Sequence, residues 1–178
     1  MKWENFYLDN HCNFITSTVN GRIPILCRMD IVEIFAKHIQ IAKDKFGFKL
    51  VAYVLMPDHW HLLAFFEYGK DCLAFNRDFK RFSSGDISKY LGSRNEDDVL
   101  SIFKKYSNGP VRYSTWKEQA RIIPLYTIKK IEQKIQYIHM NPVKKGLVEF
   151  PEDYAFSSAR YYLTGEKGLL NIDEIDFI

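Results

Sequence analysis

An apolar run of seven residues, 50–56, halts at Pro57-Asp58, and a second apolar stretch, 59–67, follows at once. Seven residues is far short of the ~20 that a membrane helix needs. Two such runs joined by a proline-containing turn read as a buried strand over 48–56 and its hairpin partner over 59–67. A chain built around this hairpin must find cover for a largely apolar sheet. Within 178 residues, of which 47% are apolar and 26% charged, there is enough material to bury a core in one domain.

The remaining periodicities fill in that cover. Residues 13–19 are rich in β-formers and end at the Asn20-Gly21 turn. Residues 29–46 repeat apolar side chains at helical spacing behind Asp30, the expected N-cap, and Gly47 ends them. A second helix opens at Asp71, with Leu73, Phe75, Phe79 and Phe82 expected inward, Arg77, Lys80 and Arg81 outward, and a kink at Gly85. Residues 92–110 read as an irregular basic connection, and 111–116 and 121–126 as two short strands. Thr127 then caps a helix to about Asn141, with Ile128, Ile131, Ile135 and Ile138 as its core stripe. The order predicts an α+β fold, a ferredoxin-like antiparallel sheet with helices packed on one face.

Three scattered cysteines, Cys12, Cys27 and Cys72, exclude a disulfide scaffold and a cysteine-based zinc site, and suit a reducing cytoplasm. Glu4 falls where a signal peptide would begin its apolar stretch, so an intracellular protein with no membrane partner is expected. The net charge of +3 conceals an asymmetry: residues 1–69 are neutral, 70–148 carry +8 and 149–178 carry −5. A basic middle segment suits a polyanion. The acidic, apolar tail 166–178 is expected to dock on the body. It either crosses that basic surface and competes with the polyanion, or packs on the sheet's far side for stability.

The residues richest in chemistry are His59 and His61. On a strand, positions two apart share a side about 7 Å apart, so both imidazoles can converge on one ion while Trp60 points into the core. Two nitrogens leave a divalent cation incomplete. On the last helix Lys130, Lys134, Tyr137 and Asn141 follow one another at helical steps, expected opposite the isoleucines. The Asn141 side chain can ligate a metal or simply cap the helix ahead of Pro142 and Gly146. His139 is expected to be structural.

In that order, three segments carry a resemblance. Residues 56–63, MPDHWHLL, resemble the His-hydrophobe-His signature of single-tyrosine HUH transposases. Residues 137–148, YIHMNPVKKGLV, are similar to the nucleophile helix of their REP-associated tyrosine transposase branch, and 151–159, PEDYAFSSA, to the aromatic, double-serine segment that follows it. The resemblance implies a catalytic domain over 1–148 and an extension over 149–178 packed on it. It also implies Tyr137 as nucleophile, His59 and His61 as metal ligands with Asn141 as the third, and Mg²⁺ or Mn²⁺ as cofactor. The implied partner is single-stranded DNA with a palindromic hairpin, taken by a monomer or homodimer. Arg77, Lys80, Arg81, Arg112, Lys130, Lys134, Lys144 and Lys145 are the expected DNA contacts. The implied activity is strand cleavage and rejoining through a 5′-phosphotyrosine. A phenol, with a pKa near ~10, leaves more readily than an aliphatic alcohol and makes such a step reversible. The rival expectation is a catalytically silent regulator that keeps the fold and binds hairpins.

Overall fold

The computed structural model describes residues 9–107 and 112–174. Four antiparallel strands, β1 (His11–Thr18), β2 (Lys49–Met56), β3 (His59–Phe66) and β4 (Arg121–Leu125), form one sheet in the order β2-β3-β1-β4. Pro57-Asp58 makes the β2–β3 turn, as expected. Helices α1 (Met29–Phe46), α2 (Gly69–Ser93), α3 (Asp97–Lys105), α4 (Ile128–Lys144) and α5 (Ala159–Thr164) complete the fold. The α+β antiparallel class is the expected one.

The helices divide between the two faces of the sheet. Trp60, Leu62, Ala64 and Phe66 pack with Phe35 and Ile39 of α1 and Phe75 and Phe79 of α2 in one cluster. Phe14, Val54, Met56 and Leu63 pack with Ile131 and Ile138 of α4 in a second. The expectation of cover on one face therefore holds for α1 and α2, whereas α4 lies on the other. The reason is that β3 is apolar on both sides, so each side must be removed from water.

Several local expectations are corrected. Helix α2 runs through Gly85, where a Cβ would meet nothing, and Leu73 and Phe82 are exposed rather than inward. Within the stretch read as irregular, α3 forms because Leu100 and Phe103 reach the core while Asp97 and Asp98 open it and Lys104 and Lys105 close it; residues 108–110 of that stretch lie outside the described residues. The strand expected over 111–116 is replaced by a single bridge between Trp116 and Val19, and Val111 lies outside the described residues. Asn20 supplies the order instead, donating from Nδ2 to the carbonyls of Ser114 (2.9 Å) and Trp116 (3.0 Å). Arg28, not Asp30, occupies the N-cap of α1. Thr127 does cap α4, accepting from the Lys130 amide, but Ile128 is exposed and the helix continues through Pro142 to Lys144.

Residues 154–173 close the outer edge of β2. The Leu55 amide donates to the Phe156 carbonyl (2.8 Å), the Ser158 amide to Tyr53 (3.0 Å) and the Asp173 amide to Leu50 (2.9 Å). Side chains satisfy further edge groups: Tyr154 Oη donates to Leu55, Tyr162 Oη to Val51, and Ser158 Oγ and Asp173 Oδ2 accept the amides of Tyr53 and Leu50. Lys43 of α1 pairs with Asp173 at 2.6 Å. An open edge strand invites pairing with other chains, and this one is covered. The described part of the acidic tail thus docks along the outer edge of β2, not on the far side of the sheet; residues 175–178 lie outside the described residues.

Ser158 Oγ also meets His139 Nε2 of α4 at 2.9 Å, so one hydroxyl ties the β2 edge to α4. Ser158→Ala leaves the buried Tyr53 amide unpaired and should cost about 1–3 kcal/mol. Urea unfolding should show the midpoint falling; an unchanged midpoint would deny that hydroxyl its role.

Candidate nucleic-acid processing site

The face of β3 turned to α4 carries His59 and His61, with ring centroids 5.0 Å apart. Each Nδ1 has a partner. His59 Nδ1 meets Asp58 Oδ1 at 2.6 Å, and His61 Nδ1 meets Thr16 Oγ1 at 2.7 Å, Thr16 being the residue directly opposite His61 on β1. A carboxylate on Nδ1 selects the tautomer whose Nε2 carries a lone pair. Arg22 holds Asp58 in turn, at 2.9 Å. Burial pushes the Asp58 carboxyl up, but the hydrogen bonds from His59 and Arg22 outweigh it and leave the pKa below the usual value. His61 is buried, and its Nε2 has no hydrogen-bond partner among the described residues.

Tyr137 of α4 packs against His61 of this pair. Its ring lies 5.5 Å from that of His61 and 5.8 Å from that of Phe14, and Phe14 stacks on His61 at 5.2 Å. Lys134 Nζ sits 4.5 Å from the Phe14 centroid and 4.9 Å from that of Tyr137, within cation–π range, and Lys144 Nζ lies 5.8 Å from Tyr137. Asn141 is buried on the same helix and donates from Nδ2 to the Tyr137 carbonyl at 2.6 Å. The Lys134–Tyr137–Asn141 stripe was expected opposite the isoleucines; instead it shares the sheet-facing side with Ile131 and Ile138. The structure thus brings His59, His61, Tyr137 and Lys134 together, with Lys144 at the margin; Lys130, in the first turn of α4, and Lys145, its C-cap, are exposed.

The other expected DNA contacts stand on the opposite side of the sheet. Arg77, Arg81 and Arg112 are exposed around α2 and the segment after α3. Lys80 is engaged, donating to the carbonyls of Lys117 (2.8 Å) and Glu118 (3.1 Å), and burial pushes its pKa down to about 8. The sequence does not mark Phe14, Thr16 or the role of Asp58: the first two follow from the β1–β3 register, which puts Thr16 opposite His61 and Phe14 opposite Leu63, and the third from the turn that brings Asp58 onto His59 Nδ1.

Among the described residues no three His, Cys, Asp or Glu side chains group to hold a metal ion. A cation at this point would rest on two imidazoles and a ligand of another type. The pair suits that use, because both Nδ1 atoms are committed and a buried Nε2 is left without a partner. A surface with an aromatic hydroxyl, two oriented imidazoles and a lysine cation is equipped for chemistry on a phosphate diester.

No family model and no curated protein matches the chain. Among solved structures, a REP-associated tyrosine transposase bound to a REP hairpin superposes with a TM-score of 0.69 at 20% identity, over 99% of this chain and 94% of that one. A protein of Deinococcus radiodurans R1 named as a "putative transposase" matches at TM-score 0.43 and 18% identity, over 78% and 95%. The chain therefore has the fold of a tyrosine transposase. Among the described residues no helix is long and apolar enough to cross a membrane.

Burial, with the charges of His59 and Lys134, pushes the His61 pKa down to about 3. In the folded state it stays neutral down to that pH, whereas in the unfolded chain it takes a proton below about 6.5. Its contribution to stability is therefore complete above 6.5 and lost as pH falls toward 3. Between pH 7 and 5 the metal-free protein should lose roughly 1–2 kcal/mol on this account. Urea titrations should show a shallower pH dependence in His61→Asn; the same dependence in both proteins would contradict the burial argument.

Proposed function

We propose that this protein binds hairpin-forming single-stranded DNA and cleaves and rejoins it beside the hairpin, with Tyr137 as the nucleophile. The observation that carries the reading is Tyr137 packed edge-on over His61, beside two imidazoles whose Nδ1 atoms are fixed from behind. The fold shared with a transposase solved on a REP hairpin supports DNA as the partner.

In this reading the Tyr137 hydroxyl attacks the scissile phosphorus. The phenol gives up its proton, the bond from phosphorus to the 3′ oxygen breaks, and that oxygen leaves as a 3′-hydroxyl. The 5′ phosphate remains on the phenol oxygen, and the reverse attack by a 3′-hydroxyl rejoins a strand. Lys134 and Lys144 place positive charge beside the tyrosine, where the phosphate gathers negative charge in the transition state. His59 and His61, with Asn141 as the candidate third ligand, would hold Mg²⁺ or Mn²⁺, which supplies charge neutralisation at the phosphate and orients it for in-line attack. Asp58, accepting from His59 Nδ1, would leave the His59 Nε2 lone pair free for such an ion, and Thr16 would hold the His61 ring in place from Nδ1.

The test is a labelled hairpin oligonucleotide with single-stranded flanks, incubated with Mg²⁺ or Mn²⁺ and run under denaturing conditions. The wild type should form a covalent adduct. Tyr137→Phe should form none while binding DNA within a few-fold of wild type. An undiminished adduct with Tyr137→Phe would remove Tyr137 from the role, and tight hairpin binding with no wild-type adduct would favour the silent regulator.

His59→Ala and His61→Ala should each reduce cleavage by at least 10²-fold and leave hairpin affinity within a few-fold, because the imidazoles serve the chemistry rather than the grip. Cleavage assays paired with filter binding check this. Equal losses in both measurements would mean that the histidines support the fold or the DNA contact instead.

A further inference from the structure

The other side of the molecule holds a cleft that the catalytic reading does not use. It lies between α2 and residues 113–118, has a volume of about 340 Å³, and is lined by Asn76, Arg77, Arg81, Tyr106, Tyr113 and Lys117 among others. We propose that this cleft binds one unpaired nucleotide of single-stranded DNA, base inward and phosphate toward Arg77 and Arg81. The proposal rests on the reading above only in taking its partner to be single-stranded DNA.

Four observations converge on it. The volume falls at the small end of ligand sites, about the scale of one nucleotide. Its walls combine aromatic rings with exposed guanidinium groups, the pairing that holds single strands through base stacking and phosphate contacts. Arg112, whose guanidinium lies 5.3 Å from the centroid of Tyr113, adds charge at that ring. Asn76 lines the same cleft. A side-chain amide at such a wall offers hydrogen bonds to a base edge.

The cleft is also held open in advance. Lys80 bridges from α2 to the carbonyls of Lys117 and Glu118, so the rim is pinned rather than closed over the space. Trp116, at the back, donates from Nε1 to Ser83 Oγ at 2.8 Å. The location is apt for a strand that leaves the cleavage face. The Lys117 amide donates to the Thr18 carbonyl at 2.8 Å, and Thr18 is the β1 partner of His59. One end of the sheet therefore carries the histidine pair on one side and the cleft on the other.

The test uses oligonucleotides with no hairpin, so it is independent of strand cleavage and of Tyr137. Fluorescence anisotropy compares a dA octamer with an octamer of the same phosphates carrying abasic sugars. The wild type should bind the dA octamer at least several-fold more tightly. Asn76→Ala and Tyr113→Leu should each shrink that ratio while leaving affinity for the abasic octamer unchanged, with thermal melting confirming that each variant is folded. Arg81→Ala should weaken both octamers and reduce the salt slope by about 0.7 for the phosphate it meets. A wild-type ratio of one, or a ratio that survives in whichever of the two base-pocket variants folds, would overturn the proposal. A failed adduct assay beside a positive result here would discard the cleavage reading and leave the cleft standing.

Discussion

Everything at the candidate site depends on the two-sidedness of β3. Alternate residues of a strand face opposite ways, so fixing Trp60 in the core beneath α1 and α2 fixes His59 and His61 on the other face. Trp60 is fully buried against Phe35, Phe79 and Trp116, and a slip of one residue would turn both imidazoles into that aromatic cluster and the indole toward α4. The packing energy of the aromatic cluster is thus what sets the direction of the histidines. The same alternation on β1 brings Thr16 and Phe14 beneath them, and α4 must then cover the apolar remainder of that face. Tyr137 reaches His61 because Ile131 and Ile138 anchor its helix.

The C-terminal extension stabilises this arrangement from the side. β2 ends the sheet, and residues 154–173 meet its outward amides and carbonyls with their own backbone and with Tyr154, Ser158, Tyr162 and Asp173. Through Ser158 and His139 that edge is linked to α4, the helix that carries Tyr137. The double-serine segment has a structural use: Ser158 accepts one edge amide and Ser157 Oγ accepts the Ala159 amide at the start of α5. The acidic character of the tail has a local purpose too, since Asp173 pairs with Lys43 and caps Leu50.

Much of the fold was legible because its signals are local. The β2–β3 hairpin, α1 with Gly47 in a left-handed conformation at its end, and the Thr127 cap follow from adjacent residues. The two-faced cover was not, because apolar residues on β3 do not say which helix meets which side. For the site, His59, His61 and Tyr137 could be named from sequence, but their meeting depends on contacts across β1, β3 and α4. Asp58 reads in sequence as a turn residue and in the fold also orients His59; Arg22, which holds it, comes from a turn far off in the chain. Helix α3 was missed although its pattern was present: short amphipathic stretches between charged residues look like solvated loop until a core is there to receive Leu100 and Phe103.

In the proposed reaction the hydroxyl of Tyr137, whose ring packs on His61, is the group that bonds to DNA. The most direct measurement is mass spectrometric mapping of the peptide that carries a nucleotide after the hairpin reaction is quenched and digested. The added nucleotide is expected on Tyr137. A nucleotide carried by Tyr126, Tyr113 or any other residue would contradict it.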